Sequence, residues 1–115
     1  MRKKWKMRIR HILEAIDRVS SYVQGMDEKT FREDTRTLDA VIRNFQVVGE
    51  AVRLIPQRVQ TRHPEIPWAV MRGMRNVLVH DYDRVRIPIL WDTIRRDLPP
   101  LVPLLLRILE KEPGE

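Results

Sequence analysis

Apolar residues recur along the chain at three- and four-residue steps. Ile9, Ile12, Leu13, Ile16, Val19 and Val23 form one stripe, with Arg8, Glu14, Asp17, Arg18 and Ser21 on the opposite side. That spacing predicts an amphipathic helix. Gly25 predicts its end, because glycine readily takes the left-handed conformation that closes helices. The charged stretch 26–33 reads as a connection with room for a short helical turn. Asp34 predicts the N-cap of a second helix, carrying Leu38, Val41, Ile42, Phe45, Val48, Val52 and Ile55. Pro56 cannot continue that helix. Residues 57–62 suit a short third helix, closed by His63 and Pro64. Pro67 opens a fourth, over about 67–79, since a proline at the first helical position lacks only an N–H that would have no partner there. A charged loop follows at 81–86. A fifth segment over 88–97 carries Leu90, Trp91 and Ile94, and a last one after Pro99 and Pro100 carries Leu101, Leu104, Leu105 and Ile108. Pro103 fits that helix only if it begins near Pro100, within the first turn of unpaired N–H groups. No strand alternation interrupts this pattern. The predicted fold is all-α, an antiparallel bundle of four to six helices.

The bulk composition narrows the picture. With 115 residues, the chain has material for one modest core, so one domain over 1–115 is expected. No apolar run is long enough to span a bilayer. The basic start, Met1 to Arg10, lacks the apolar segment of a secretory signal. There is no cysteine, which excludes disulfides and thiolate metal sites and fits a reducing compartment, the cytoplasm. His11, His63 and His80 show no metal-ligand spacing, so neither metal nor cofactor is expected. The formal net charge of +6 points to an acidic partner, nucleic acid above all.

The chemistry concentrates between Met71 and Tyr82, whose skeleton is Arg75-Asn76, three residues, His80, one residue, Tyr82. Asn76 and His80 are four apart and share a helix face. Val77, Leu78 and Val79 are apolar anchors. An arginine, an amide and an imidazole thus gather at a helix C-terminus, with a tyrosine just beyond. This set suits RNA cleavage without a metal. A 2′-hydroxyl attacking the adjacent phosphate must lose a proton, and the leaving oxygen must gain one. Histidine can do either near neutral pH. A guanidinium matches the charge that gathers on the phosphorane. Asn76 can orient His80 or bind a phosphate oxygen. The arginine–histidine spacing alone is unspecific, because Arg58 and His63 share it. That second pair lacks the asparagine and the tyrosine, and Pro64 follows at once. Structural roles are also open. His80 can cap its helix, Arg75 can pair with Glu50 or Asp81, Tyr82 can close the core, and Arg72 with Arg75 can belong to a solvated face.

The ordered run Ile66-Pro67-Trp68, Gly73-Met74-Arg75-Asn76, His80-Asp81-Tyr82, Leu90-Trp91 and Asp97-Leu98-Pro99 resembles the HepT-like branch of the HEPN superfamily. Upstream, residues 43–51, from Arg43 to Ala51, resemble that family's second-helix signature. The resemblance covers roughly residues 8–110, which would form the core of the domain. It implies a HEPN-like helical bundle that forms homodimers, with a cleft at the dimer interface. It further implies Arg75 and His80 as the catalytic pair of a metal-independent RNase toxin, supported by Asn76. The implied partner is an MNT-type nucleotidyltransferase antitoxin that transfers AMP from ATP to Tyr82. Such a group would block the cleft and repel RNA phosphates. The lysine-rich start, His11, and Asp83 beside the tyrosine depart from the family pattern and bear on partner contacts. Gly49 is expected to permit close helix approach, and Glu50 to support Arg75 or His80. Two other functions fit the same residues: a non-catalytic HEPN subunit that binds nucleotide or presents a substrate to its nucleotidyltransferase, and a basic helical module that binds nucleic acid by charge alone.

Overall fold

The stripe that begins at Ile9 becomes α1, Trp5–Tyr22, in a computed structural model that describes the backbone of residues 5–80 and 86–113 and the side chains of 5–75 and 86–113. Ile9, Ile12, Ile16 and Val19 are buried, as is Trp5, one turn ahead of the predicted stripe. Gly25 sits at φ +80°, the left-handed turn expected of it.

The charged connection contains a helix of its own, α2, Glu28–Glu33. Asp27 caps it, accepting from the Thr30 N–H at 2.8 Å. Its purpose in packing is Phe31, which is fully buried and stacks at 5.1 Å on Trp91. Asp34 then ends α2 and starts α3, Thr35–Arg53, accepting from the Thr37 N–H at 3.0 Å. One residue therefore serves as C-cap and N-cap, which makes the α2–α3 corner tight.

Helix α3 is the central element, packed on α1 along one side and on α5 along the other. Val41, Ile42, Phe45, Val48 and Val52 are buried, and so is Asn44, whose amide donates to the Ala40 carbonyl at 2.9 Å. Pro56 precedes α4, Gln57–Arg62. This short helix folds Gln60 back under the end of α3. Its side-chain amide donates to the carbonyls of Val52 at 3.3 Å and Ile55 at 3.0 Å, and its oxygen accepts from Arg72 at 3.3 Å. Carbonyls left over at a helix end are thereby satisfied inside the protein.

Helix α5, Trp68–His80, follows Pro67 as predicted. Its indole donates to the His63 carbonyl at 2.9 Å, and Met71 and Met74 enter the core. Helix α6, Ile87–Asp92, carries Pro88 in its first turn and runs on into a π-helical turn, Thr93–Asp97. Leu98 N–H donates to the Thr93 carbonyl, five residues back, at 3.0 Å. The last helix, α7, Leu101–Lys111, starts directly after Pro100, so Pro103 lies in its first turn.

The architecture is the all-α antiparallel bundle predicted, with seven helical segments among the described residues because α2 is a helix in its own right. Helix α7 returns along α1. The end of α1 and the start of α7 line one groove, while at the other end Lys6 Nζ donates to the Glu112 carbonyl at 2.8 Å. Glu112 also receives Arg62 through a two-pronged contact of 3.0 and 2.5 Å, and His63 Nε2 at 2.7 Å. Its carboxylate is only 7% exposed. The Arg62 guanidinium above all, then His63, holds its pKa down at about 2. Lys6, Arg62, His63 and Glu112 clasp α1, α4 and the end of α7 together. No described helix is long and apolar enough to cross a membrane.

Candidate active site

The site is built where α3 crosses α5. Gly49 marks the crossing. A Cβ added there would lie 2.6 Å from both the Cβ and the backbone N of Arg75, and 3.0 Å from the Arg72 carbonyl oxygen. Only a residue without a side chain lets the two backbones come this close, as the sequence predicted for Gly49. The crossing sets Arg75 directly against the α3 surface, next to Glu50.

Of the two acidic residues offered as partners for Arg75, the structure shows Glu50. Arg75 Nε lies 3.3 Å from Glu50 Oε1, with the arginine side chain 51% and the glutamate side chain 44% exposed. The same oxygen accepts from Arg53 Nε at 3.3 Å, and Oε2 accepts from Arg53 Nη2 at 2.6 Å. The hydrogen bond from Arg53 is the main reason the Glu50 carboxyl sits below its usual pKa, and the charges of Arg53, Arg75 and Arg8 add to the effect. Glu50 is thus ionised at neutral pH and can fix one edge of the Arg75 guanidinium while solvent reaches the side chain.

Helical backbone continues through His80. Asn76 and His80 therefore lie one turn apart on one face, and His80 lies about 7.5 Å along the axis from Arg75. The side chains of Asn76 and His80 fall outside those described, and Tyr82, with Asp81 and Asp83, falls outside the described residues. Arg75 and Glu50 are brought together; Asn76 and His80 are placed by backbone alone.

The competing pair behaves differently. His63 is turned to Glu112 and lies 3.6 Å from Glu65, so it belongs to the clasp. Arg58 is exposed on α4. Among the described residues no cluster of His, Asp or Glu could hold a metal ion. The groove between α1, the π turn and α7 contains none of the predicted site residues.

Sequence comparison supplies the deciding observation. The family described as Ribonuclease HepT-like matches residues 12–108. The chain belongs to the HepT-like ribonuclease family. It is 37% identical over 101 residues to a protein of Thermococcus cleftensis named "Probable ribonuclease HepT", covering 88% of this chain and 92% of that one. A "Putative RNase" of Caldanaerobacter subterraneus subsp. tengcongensis is 33% identical over 104 residues, with 90% and 93% covered. A Methanocaldococcus jannaschii protein named "Gamma-glutamylcyclotransferase and putative RNase" is 32% identical over 111 residues, 96% of this chain, and the chain spans 50% of that longer relative. No solved structure matches the chain.

The HepT-like match includes Gly49, Glu50, Arg53 and the whole of α5, but neither Arg8 on α1 nor Glu112 at the clasp. Two features of this HepT-like chain escaped the sequence reading. Arg53 is three residues from Glu50, a helical pairing distance that could have flagged it. The Arg62–His63–Glu112 clasp joins residues 49 and 50 apart, and no local pattern announces it.

Proposed function

We propose that this HepT-like domain is a metal-independent endoribonuclease in which His80 moves the proton and Arg75 holds the charge on the reacting phosphate. The observation that carries the reading is the Arg75 guanidinium, seated against α3 at the Gly49 crossing and steered by Glu50 through Nε, yet half exposed. An arginine held this way is pre-oriented for a phosphate. In the reaction, the 2′-oxygen forms a bond to phosphorus and its proton goes to a base. The bond from phosphorus to the 5′-oxygen breaks, and that oxygen takes a proton. The products are a 2′,3′-cyclic phosphate and a 5′-hydroxyl. His80 serves as acid/base, Arg75 stabilises the phosphorane, Asn76 orients His80 or binds a phosphate oxygen, and Glu50 positions Arg75.

The same reading extends to a cytoplasmic toxin–antitoxin pair. The chain works as a homodimer whose interface forms the cleft, and a cognate MNT-type nucleotidyltransferase is its antitoxin. Tyr82 attacks the α-phosphorus of ATP, pyrophosphate leaves, and the resulting AMP-tyrosine fills the cleft with bulk and negative charge. Support comes from family membership and from the position of Tyr82, two residues beyond His80.

Arg75→Ala and His80→Ala are each expected to abolish RNA cleavage while helicity and oligomeric state stay as in the wild type. Full cleavage by the His80→Ala protein overturns the mechanism. An intact dimer that cuts no RNA but binds the transferase tightly would favour a non-catalytic subunit. For the regulatory half, the intact mass of protein co-expressed with the transferase should rise by one AMP, and Tyr82→Phe should block the rise. An unmodified chain beside an active transferase refutes it.

A further inference from the structure

Glu50 carries more positive charge than one carboxylate can neutralise. Arg53 is on it at 2.6 Å, Arg75 at 3.3 Å, and Arg8, from α1, is close enough for its charge to lower the Glu50 pKa. Two guanidinium groups, from α3 and α5, meet one carboxylate, and the surplus is a positive charge on an exposed surface. The Arg53 and Arg75 side chains are 53% and 51% exposed. Surface ion pairs add little to stability, and crowding like charges opposes folding, so fold maintenance does not account for the arrangement. Phosphorane stabilisation accounts for Arg75 alone.

We propose that Arg53 is a subsite residue that holds an RNA phosphate flanking the scissile one, so that the strand runs from Arg75 across α3. This rests on the endoribonuclease reading above. The juxtaposition supports it in three ways. Glu50 Oε1 serves both Arg53 Nε and Arg75 Nε, so the Arg53 fork lies within a carboxylate's width of the reacting position. Planar guanidinium forks match phosphate oxygens in pairs. Anchoring by Glu50 orients the arginines before RNA arrives, which reduces the ordering cost of binding. Arg53 binds; it does not touch the reacting atoms.

A subsite acts only on a substrate long enough to reach it, and that provides the test. Arg53→Gln is compared with wild type on a single-stranded RNA of about a dozen nucleotides and on a dinucleotide with a single phosphodiester. On the longer RNA the change should raise KM roughly two- to five-fold, with the effect on KM exceeding that on kcat. The slope of log KM against log salt should fall by about 0.7. On the dinucleotide the variant and wild type should have the same KM. Binding of the same two RNAs to His80→Ala proteins with and without the Arg53 change gives a readout that needs no catalysis. Unchanged KM, binding and salt slope on the longer RNA refute the subsite, as does an equal loss on both substrates. Weakened binding to an acidic protein partner with RNA binding intact also refutes it. Retained cleavage by Arg75→Ala with the KM effect still present at Arg53 would instead overturn the catalytic reading and leave the subsite standing.

Discussion

Replacing Gly49 with alanine puts a methyl carbon 2.6 Å from Arg75 Cβ and backbone N and 3.0 Å from the Arg72 carbonyl oxygen. Carbon–carbon contacts are most favourable at about 3.5–4.0 Å, so α5 must retreat from α3 by about 1 Å. Overpacking of this kind costs about 1–3 kcal/mol. The upper half of that range applies, because two of the three atoms met are backbone and cannot rotate aside. Alanine's better helix propensity returns about 0.5–1 kcal/mol. The net loss is about 1–2 kcal/mol, a drop in Tm of about 5–10 °C for a domain of this size. With Arg75 in its proposed role, activity should suffer more than stability, because a 1 Å misplacement of such a group can cost roughly 100-fold. Thermal unfolding and kcat/KM on RNA measure the two effects. Gly73→Ala is the internal control: a Cβ there meets nothing within 4 Å, and the variant should gain about 0.5–1 kcal/mol from propensity alone. A Gly49→Ala protein that melts at or above the wild-type temperature, with full activity, would show that this crossing does not set the position of Arg75.

Other consequences are open to measurement. The Glu112 carboxyl is depressed from 4.5 to about 2, so its contribution is fully present above pH 4.5 and is lost as pH falls from there toward 2. That contribution is of order 1–3 kcal/mol; unfolding free energy should decline over this window in wild type, and Glu112→Gln should remove most of the decline. Gln60→Leu keeps the volume but strips the Val52 and Ile55 carbonyls of their donor. It should lower stability in urea by about 1–3 kcal/mol, and an unchanged midpoint would mean that water replaces the amide.

Much of the scaffold is legible locally. The long stripes of α1, α3 and α7, the Asp34 cap, the Gly25 turn and the proline-led starts of α5 and α7 all depend on residues within a turn or two. Helix α2 is harder to read, since six residues with a single buried side chain, Phe31, carry no periodicity. The π turn is invisible for another reason. A five-residue hydrogen-bond step differs from the ordinary four-residue one by a local widening with no residue code of its own. It adjoins Trp91, which is held between Phe31 and the Arg95 guanidinium.

The site divides the same way. Arg75, Asn76, His80 and Tyr82 stand out in the sequence because their chemistry and order are local, and the backbone shows Asn76 and His80 on one helix face. Which acid meets Arg75 is not local. Arg75 meets Glu50, and contact across 25 residues arises because Gly49 lets α3 and α5 touch. Arg58 and His63 repeat the spacing of Arg75 and His80, yet His63 is bound into the clasp by Glu112 at the far end of the chain. Sequence by itself determined the long helices, the Asp34 cap and the order of the proposed site residues, because those follow from turn-by-turn geometry and side-chain type. Tertiary structure alone decided which charges meet, because electrostatic and packing energies depend on separations in space that one-dimensional spacing does not set.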